Sequence, residues 1–197
     1  DLLFEHFQIK ETLENNLAAW IEKYQPNKIA LDLIHDAQDL KDEELRFICL
    51  TRCLEIFHKE NFIAVKPSLS YLEELHAFLI ENNLSDTSFS NFRAPKNMTL
   101  SHRLYDLARS VFDYIKKDRL MFGYITNCNY CQRLADTRNY YIHFSDDGKQ
   151  KAWGTASLPH INFELTTFIK VLFLKRFNFS KETIKTIITS IKGQHFF

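Results

Sequence analysis

Residues 42–60, with the sequence DEELRFICLTRCLEIFHKE, decide the fold class of this chain. The segment opens with three acidic residues, which suit the positive end of a helix dipole. Apolar side chains, among them Leu45, Ile48, Leu54 and Phe57, then recur almost all the way round a helix. A helix that is apolar on most of its sides has to be surrounded by other elements. The segment therefore predicts a central core helix.

Apolar periodicity predicts further helices on both sides of this segment. We expect Thr12 to cap the first of them and Pro26 to end it, because a proline inside a helix removes a hydrogen bond. Ser180 is the predicted N-cap of the last helix, and Gly193 is predicted just past its end. The predicted segments besides 42–60 are 12–24, 28–38, 68–82, 99–118, 124–143, 161–178 and 180–193.

Two polar stretches separate these helices. Residues 83–98 are polar and irregular and are predicted to be a loop. Residues 145–160 are a second predicted loop, with a hairpin turn at Asp147-Gly148. The sum is an all-α fold, an up-and-down bundle of seven or eight helices.

Composition supports a helical fold without a membrane-spanning segment. The 197 residues include only four Gly and four Pro, which favours long helices over turn-rich β folds. No apolar run reaches the roughly 18 residues that a membrane span needs, and the N-terminus has no basic region of the signal-peptide kind. The chain lacks an initiator Met. We expect a single domain over 1–197, with a core at about 42–192, as the C-terminal part of a longer cytoplasmic protein.

Charge is uneven along the chain although the total is zero. Residues 1–60 hold 7 basic and 13 acidic residues, a balance of −6. Residues 61–140 hold 10 against 8, or +2, and residues 141–197 hold 8 against 4, or +4. A basic back half can present a positive surface to phosphate. Solvated helix faces explain the same pattern equally well.

Four cysteines remain to be placed. Cys128 and Cys131 have C-x-x-C spacing, but no second pair completes four zinc ligands. Buried free thiols are the favoured interpretation, and a zinc or redox site is the alternative. Cys49 and Cys53 sit in a predicted helix and indicate reduced thiols.

The segment Arg138-Asn139-Tyr140-Tyr141-Ile142-His143 carries residue types that RNA cleavage needs. A histidine can take the proton of a ribose 2′-OH or give one to the leaving 5′-oxygen. An arginine can donate two hydrogen bonds to phosphate oxygens. Asn139 and His143 are i,i+4 and share a helix face, whereas Arg138 and His143 are about 140° apart on an ideal helix. A shared site therefore needs a distorted helix end or a reaching arginine.

This Arg-polar-three residues-His pattern resembles the signature of the HEPN superfamily. The resemblance widens to FICLTRCLEIFHKENF upstream and an apolar helix ending LFLKRFNFSKETI downstream, and this set looks like the Apea-like HEPN domain over about residues 42–192. It implies RNA cleavage without a metal or other cofactor, at a cleft between the two copies of a homodimer, in a prokaryotic anti-phage or toxin setting. By position, Arg138 and His143 are the catalytic pair and Asn139 is the polar residue beside the arginine.

One element departs from the family pattern. Relatives often carry Tyr-His-Arg on the upstream helix, where this chain has Phe57-His58-Lys59. The role of this element is open. Helix order alone suggests the further hypothesis that Glu55, near it, braces Arg138.

Substrate-binding candidates surround the motif in sequence. Tyr140 or Tyr141 can stack on bases, although core packing is expected for at least one of them. Basic side chains that can hold the RNA backbone are Lys149, Lys151, Lys170, Lys175 and Arg176. His58, His76 and His102 are expected to be surface or half-buried structural residues.

The predicted partners are RNA, a second copy of the chain, and a regulatory N-terminal domain or a phage-derived trigger, with no membrane. Three other interpretations stay open. Arg138 can simply pair with Asp136 or another nearby carboxylate while His143 caps the helix end. The domain can be a catalytically silent HEPN module that binds RNA or dimerises a larger protein. It can also be a plain helical scaffold.

Overall fold

The computed structural model describes residues 13–62, 69–82, 99–116, 129–144 and 146–195. These residues are helical apart from short connections, and no strand occurs among them, so the all-α prediction is confirmed. Seven of the described helices have 13 or more residues and one has six. The helices are α1 (Leu13–Asp39), α2 (Glu43–Asn61), α3 (Leu69–Glu81), α4 (Leu100–Ile115), α5 (Tyr130–His143), α6 (Asp146–Lys151), α7 (Leu158–Arg176) and α8 (Lys181–His195).

Helix α2 lies at the centre of the bundle, as the sequence predicts. Asp42 caps it, and its Oδ1 accepts hydrogen bonds of 2.9 Å from the backbone N–H groups of Glu44 and Leu45. Leu45 is the exception among the predicted core residues, because its side chain is exposed. The buried residues of the helix are Phe47, Leu50, Thr51, Cys53, Leu54, Phe57 and His58.

Helix α1 packs along α2 and runs straight through Pro26, so the predicted break at this proline is wrong. A proline inside a helix costs about 3 kcal/mol. The buried Asn27 side chain beside the proline donates to the Lys23 carbonyl at 2.8 Å. Beyond the proline, Ala30 and Ile34 are buried in the core. Packing against the core therefore keeps α1 continuous at a proline where local propensity predicts a break.

Helix α7 is the second core helix, with a dozen buried residues. The ring of Phe173 meets the edge of Phe57 of α2, with ring centroids 4.8 Å apart. Near its start, the buried Asn162 donates to the carbonyl and the carboxylate of Glu43, at 2.9 and 2.7 Å. α7 therefore runs along α2, with a polar contact near the starts of the two helices and an apolar contact near their ends.

Helix α4 joins α2 through a buried polar cluster. His58 Nε2 lies 2.8 Å from Asp106 Oδ2, and Arg103 Nη1 donates to His58 Nδ1 at 3.2 Å. His58 is fully buried, so its predicted surface or half-buried position is wrong. Apolar packing of the surrounding turns places it inside, and the carboxylate of Asp106 provides the hydrogen bond that a buried imidazole needs. Tyr71 of α3 also hydrogen-bonds Asp106, which with burial raises the pKa of this tyrosine.

The other two histidines of that prediction differ in environment. His76 is half-buried, as expected. His102 is largely buried and takes part in a capping box, in which its backbone N–H donates to Thr99 Oγ1 and Thr99 N–H donates to its ring Nδ1. Burial lowers the pKa of His102. The buried position of His102 therefore differs from the predicted surface or half-buried one.

Several predicted boundaries differ from the structure. Residues 146–151 form α6 instead of a hairpin turn at Asp147-Gly148, because Asp146 and Asp147 stand at its start, where acidic residues suit the helix dipole. α7 begins at Leu158, three residues early, because this side chain is fully buried and Pro159 is tolerated in a first turn. Gly193 lies inside α8 and does not end it. The Ser180 cap is confirmed, since its Oγ accepts from Thr183 N–H at 3.1 Å.

Some predictions fall on parts of the chain outside the described residues. These are the Thr12 cap, the loop over 83–98, the segment 124–128 and Cys128. Among the helices of the described ranges, none combines the length and the hydropathy needed to cross a bilayer.

Candidate active site

The helix that carries the predicted motif is anchored firmly to the segment that follows it. The buried Thr137 accepts a hydrogen bond of 3.0 Å from Trp153 N–H and donates to Arg133 O at 2.7 Å. Tyr141, one turn further, donates its hydroxyl to Trp153 O at 3.1 Å. The Arg133 guanidinium covers the Trp153 ring at 5.0 Å. Two backbone groups of one residue therefore fix the inner face of α5.

α5 ends abruptly at the last residue of the motif. His143 is the last helical residue, and Phe144 follows with φ of 49° and ψ of 39°, in the left-handed region. The Phe144 N–H still donates to Tyr140 O at 2.6 Å, which closes the helix end. This conformation costs a non-glycine residue on the order of 1–2 kcal/mol. The chain turns away directly after His143 and leaves that side chain at the tip.

Arg138 points from α5 towards α2. Its Nη2 lies 3.4 and 3.3 Å from the two carboxylate oxygens of Glu55, and its Nη1 donates to Asn139 Oδ1 at 3.1 Å. The Arg138 and Glu55 side chains are 22% and 14% exposed, so water screens the pair only in part. The hypothesis that Glu55 braces Arg138 is therefore confirmed, and the alternative pairing with Asp136 is not observed among the described contacts.

A second arginine shares the same carboxylate. Arg52 Nη1 lies 2.9 Å from Glu55 Oε2, and its side chain is about half exposed. The sequence reasoning missed this residue, although its i,i+3 spacing from Glu55 on α2 was the signal that would have revealed it. One carboxylate facing two guanidinium groups leaves the cluster with one net positive charge at the edge of the motif.

The other two motif residues, Asn139 and His143, are exposed. Within the described part of the chain no hydrogen bond joins His143 to another side chain, and none joins it to Arg138. The helix is regular up to His143, so the expected distortion of the helix end does not bring the two together. The structure instead directs Arg138 to one side of α5 and leaves His143 free on another.

An apolar rim flanks His143. Ile142 is 39% exposed and Phe144 is 69% exposed, values far above those of the core residues. Tyr140 is half-buried and contacts the rings of Tyr141 and Phe144, with centroids 5.1 and 6.1 Å away. Tyr141 is buried and packs edge-on against Phe47, which confirms core packing for one of the two tyrosines. Burial also raises the pKa of Tyr141.

The predicted phosphate-binding side chains fall into two groups. Lys149 and Lys151 lie on α6, directly after the motif helix, and both are exposed. Lys175 and Arg176 lie at the end of α7 and line a different cleft. Lys170 is partly buried, and this burial lowers its pKa. The structure therefore places only the α6 lysines beside α5 in the way that the sequence analysis expected.

The cysteines that the structure describes are Cys49, Cys53 and Cys131, and Cys128 lies outside the described residues. Cys131 is buried and burial raises the pKa of its thiol, so it is held in the neutral form. Cys53 is also buried and its Sγ contacts Ala30 O at 3.1 Å. No group of three His, Cys, Asp or Glu side chains within those residues is placed to hold a metal ion.

The Phe57-His58-Lys59 element contributes to the packing of the helical bundle. Phe57 packs against α7 and His58 binds the carboxylate of α4, while Lys59 is exposed. This element therefore connects α2 to two neighbours, and Glu55, one turn before Lys59, faces the motif.

The arrangement offers two complementary groups. Arg138 keeps its charge and retains N–H groups beyond those that Glu55 and Asn139 accept, so it can donate to an anionic oxygen. His143 is accessible to water and can exchange a proton with a bound molecule. An anion-binding guanidinium and a proton-exchanging imidazole are the two kinds of group that acid–base chemistry on a phosphate ester requires.

Comparison with known proteins gives one match. A family model described as Apea-like HEPN matches residues 48–183, a stretch that runs from α2 to the start of α8 and contains the whole motif helix. No curated protein and no solved structure matches the chain.

Proposed function

The chain belongs to the Apea-like HEPN family, and from this premise we propose that it is a metal-independent endoribonuclease whose catalytic residues are Arg138 and His143. HEPN domains are commonly ribonucleases and often dimerise and bind RNA. The observation that carries the proposal is that one helix presents a guanidinium held by Glu55 on one side and an exposed imidazole at its abrupt end.

The proposed reaction is a transesterification within the RNA backbone. The ribose 2′-oxygen attacks the adjacent phosphorus and loses its proton to a base, while the bond from phosphorus to the 5′-oxygen breaks and that oxygen receives a proton. His143 serves as base or acid, a role that typically contributes about 10²–10⁴-fold in rate. Arg138 donates to the phosphate oxygens as negative charge builds on them. Asn139 helps to hold the arginine.

A homodimer is part of this proposal. Arg138 and His143 are directed to different sides of α5 in one protomer, so a second motif supplies the missing group in a shared cleft. The exposed Ile142 and Phe144 beside His143 support this arrangement, because exposed apolar side chains of this size are favoured at protein interfaces.

The substrate is proposed to be single-stranded or looped RNA, whose flexible ribose can reach in-line geometry. Lys149 and Lys151 are exposed on the helix after the motif and are proposed to contact phosphates. Tyr140 is half-buried and retains an exposed part for contact with a base. A role in prokaryotic defence remains a prediction from the family resemblance, and a cytoplasmic location remains a prediction from the sequence.

The direct test is cleavage of end-labelled RNA by the purified protein with EDTA present. We expect cleavage to persist without divalent metal and to yield 2′,3′-cyclic phosphate ends. Arg138→Ala and His143→Ala should each abolish it. A strict metal requirement, or full activity in either variant, would overturn the mechanism. Loss of cleavage in every preparation together with retained RNA binding would favour the silent module.

The dimer has its own test with a matched pair of variants. Phe144→Ser should shift sedimentation from dimer to monomer and reduce cleavage. Ile29→Ser removes an equally exposed apolar side chain from α1, 62% exposed, and should leave the dimer intact. A monomeric wild-type protein that cleaves at full rate would exclude the shared cleft but leave the catalytic pair standing.

A further inference from the structure

One side of α5 carries a stripe of polar side chains. Its members are spaced by four, three and four positions, which places them within about 60° of one another around the helix. They are Gln132, Asp136, Asn139 and His143. The stripe is exposed except at Asp136, which is half-buried. Arg138 lies outside it, on the side of α5 that meets Glu55. The stripe therefore ends at the proposed catalytic histidine and carries one carboxylate.

The carboxylate of Asp136 is only partly engaged. Its Oδ1 accepts a hydrogen bond of 3.1 Å from Gln132 Nε2, and within the described part of the chain its Oδ2 accepts none. Arg138, two residues further on, turns to Glu55 instead of to Asp136. An ionised carboxylate can accept several hydrogen bonds, so Asp136 retains the capacity to accept from a donor that faces this side of the helix.

His143 lacks an acceptor of this kind in its own protomer. A histidine that exchanges protons works best when a carboxylate holds one ring nitrogen, because this fixes the tautomer and leaves the other nitrogen for the substrate. Asp136 and His143 are only about 20° apart around the helix, but they are seven residues, or about 10 Å, apart along its axis. The two side chains of one protomer are therefore too far apart for a hydrogen bond.

Antiparallel α5 helices in a two-fold dimer remove this separation. Parallel helices would put each residue level with its own copy, whereas the proposed shared cleft needs Arg138 level with His143 of the partner subunit. In that antiparallel arrangement Asp136 is two residues, or about 3 Å, from the level of His143 of the partner subunit. Asp136 also lies on the side of α5 that carries the histidine, so it faces the other protomer.

We propose that Asp136 is a positioning residue for His143 of the partner subunit. Its carboxylate accepts the N–H of one ring nitrogen, and the second ring nitrogen takes the proton of the ribose 2′-OH or gives one to the leaving 5′-oxygen. The proton stays on the imidazole and does not pass to the carboxylate, which stabilises the imidazolium. This inference rests on the proposed ribonuclease function and its homodimer, and it adds to that site a residue from outside the six-residue motif.

Single-turnover cleavage at saturating RNA is the first test. Asp136→Asn keeps the size of the side chain and removes its charge. We expect the rate to fall about tenfold, well short of the 10²–10⁴-fold expected for loss of the imidazole, with RNA affinity unchanged. Asp136→Glu should recover part of the rate. Glu60→Gln removes an exposed carboxylate from the end of α2 and should leave the rate unchanged. A wild-type rate in Asp136→Asn would overturn the inference.

Mixed dimers show which protomer supplies the carboxylate. Asp136→Asn and His143→Ala proteins are mixed, and subunit exchange is followed by native mass spectrometry. In the mixed dimer the intact histidine of the first chain faces the intact Asp136 of the second. The mixture should therefore cleave several times faster than the mean of the two unmixed preparations. A carboxylate that acted within its own protomer would give no gain, and that result would overturn the inference.

The reciprocal mixture is the matched control. A chain with both Asp136→Asn and His143→Ala is mixed with the wild-type protein, so the surviving histidine of each mixed dimer faces a chain without the carboxylate. We expect this mixture to cleave more slowly than wild-type protein at the same concentration of intact chains. Equal rates would again assign the carboxylate to the same protomer as the histidine and would contradict the proposed contact.

Failure of this inference and failure of the proposed function give different results. An active His143→Ala protein would overturn the function and this inference together. Loss of cleavage in His143→Ala, with wild-type cleavage in Asp136→Asn, would keep the function and overturn only the role of Asp136. If Asp136→Asn does not fold by circular dichroism, Asp136→Ser provides the same comparisons.

Discussion

Two histidines of this protein occupy opposite environments. His58 is fully buried, with one ring nitrogen 2.8 Å from Asp106 and the other accepting from Arg103. His143 is exposed at the tip of a helix and makes no hydrogen bond to a described side chain. Arginine can only donate, so His58 Nδ1 must accept and the ring proton is fixed on Nε2.

The difference shows which histidine is able to do chemistry. A catalytic histidine must gain and lose a proton as the reaction proceeds. His58 has both nitrogens committed in a water-excluded site, and its hydrogen bonds bind α2 to α4. His143 has neither nitrogen committed in the described contacts. The sequence makes the two residues look alike, since each lies near the end of an amphipathic helix beside an aromatic residue.

The largest expected effect is on catalysis at the exposed histidine. His143→Ala should lower the RNA cleavage rate by about 10²–10⁴-fold, because an acid–base group is removed. The free energy of unfolding should change by less than about 0.5 kcal/mol, since the side chain is a surface group. Single-turnover cleavage and urea denaturation measure the two quantities. Unfolding of this variant at ordinary temperature would mean that the histidine is structural after all.

The buried histidine should show the reverse pattern. His58→Ala should lower the free energy of unfolding by on the order of 3 kcal/mol, because it leaves the buried Asp106 without its closest partner. Cleavage per folded molecule should remain near normal. Urea denaturation of His58→Ala, Asp106→Ala and the double variant should show that the two losses are not additive. Fully additive losses would contradict a direct bond between them.

Weakening the contact between Glu55 and Arg138 should have an intermediate effect on cleavage. Glu55→Gln keeps the shape of the side chain but weakens a charge-assisted contact of the kind that is worth about 1.5–3 kcal/mol, here reduced by partial exposure. We expect cleavage to fall by about tenfold with little change in stability. Arg52→Gln touches the same carboxylate but not Arg138, and it should leave cleavage almost unchanged. An unchanged cleavage rate in Glu55→Gln would indicate that the contact with Glu55 does not position Arg138 for catalysis.

The smallest effect is expected on the exposed lysines of α6. Lys149→Gln should weaken RNA binding by a few-fold and reduce the slope of log affinity against log salt by about 1, because one phosphate contact is lost. Fluorescence anisotropy across a salt series measures this slope. Lys59→Gln removes an exposed lysine from α2 and serves as the control. An unchanged slope in Lys149→Gln would place the RNA away from α6.

Much of the fold follows from the sequence because helical periodicity is local. The apolar pattern of α2 predicts its central position, and the apolar pattern of α7 predicts a core helix. Local rules failed where packing opposed them. Pro26 lies inside α1 because the helix beyond it is held against α2, and Asp147-Gly148 is helical because the turn signal is shared by helix starts.

The candidate site was also predictable in part from local sequence and in part only from packing. The residue types and spacing of Arg138, Asn139 and His143 identify the motif, and helix order suggests Glu55 as the partner of the arginine. The left-handed turn at Phe144 and the burial of His58 were not readable in this way. Each depends on which side of a helix meets a neighbour, and that is a property of the assembled bundle.

The sequence by itself determined that this protein is helical, that it belongs with the HEPN family and which six residues form its motif. Hydrogen bonding and burial within a helix repeat every few residues, so the letters alone carry them. Only the tertiary structure decided that His58 is held between Asp106 and Arg103 and that His143 makes no hydrogen bond to another described side chain. Those outcomes depend on contacts between residues far apart in sequence, such as His58 and Asp106, 48 positions apart, and such contacts exist only once the helices have packed.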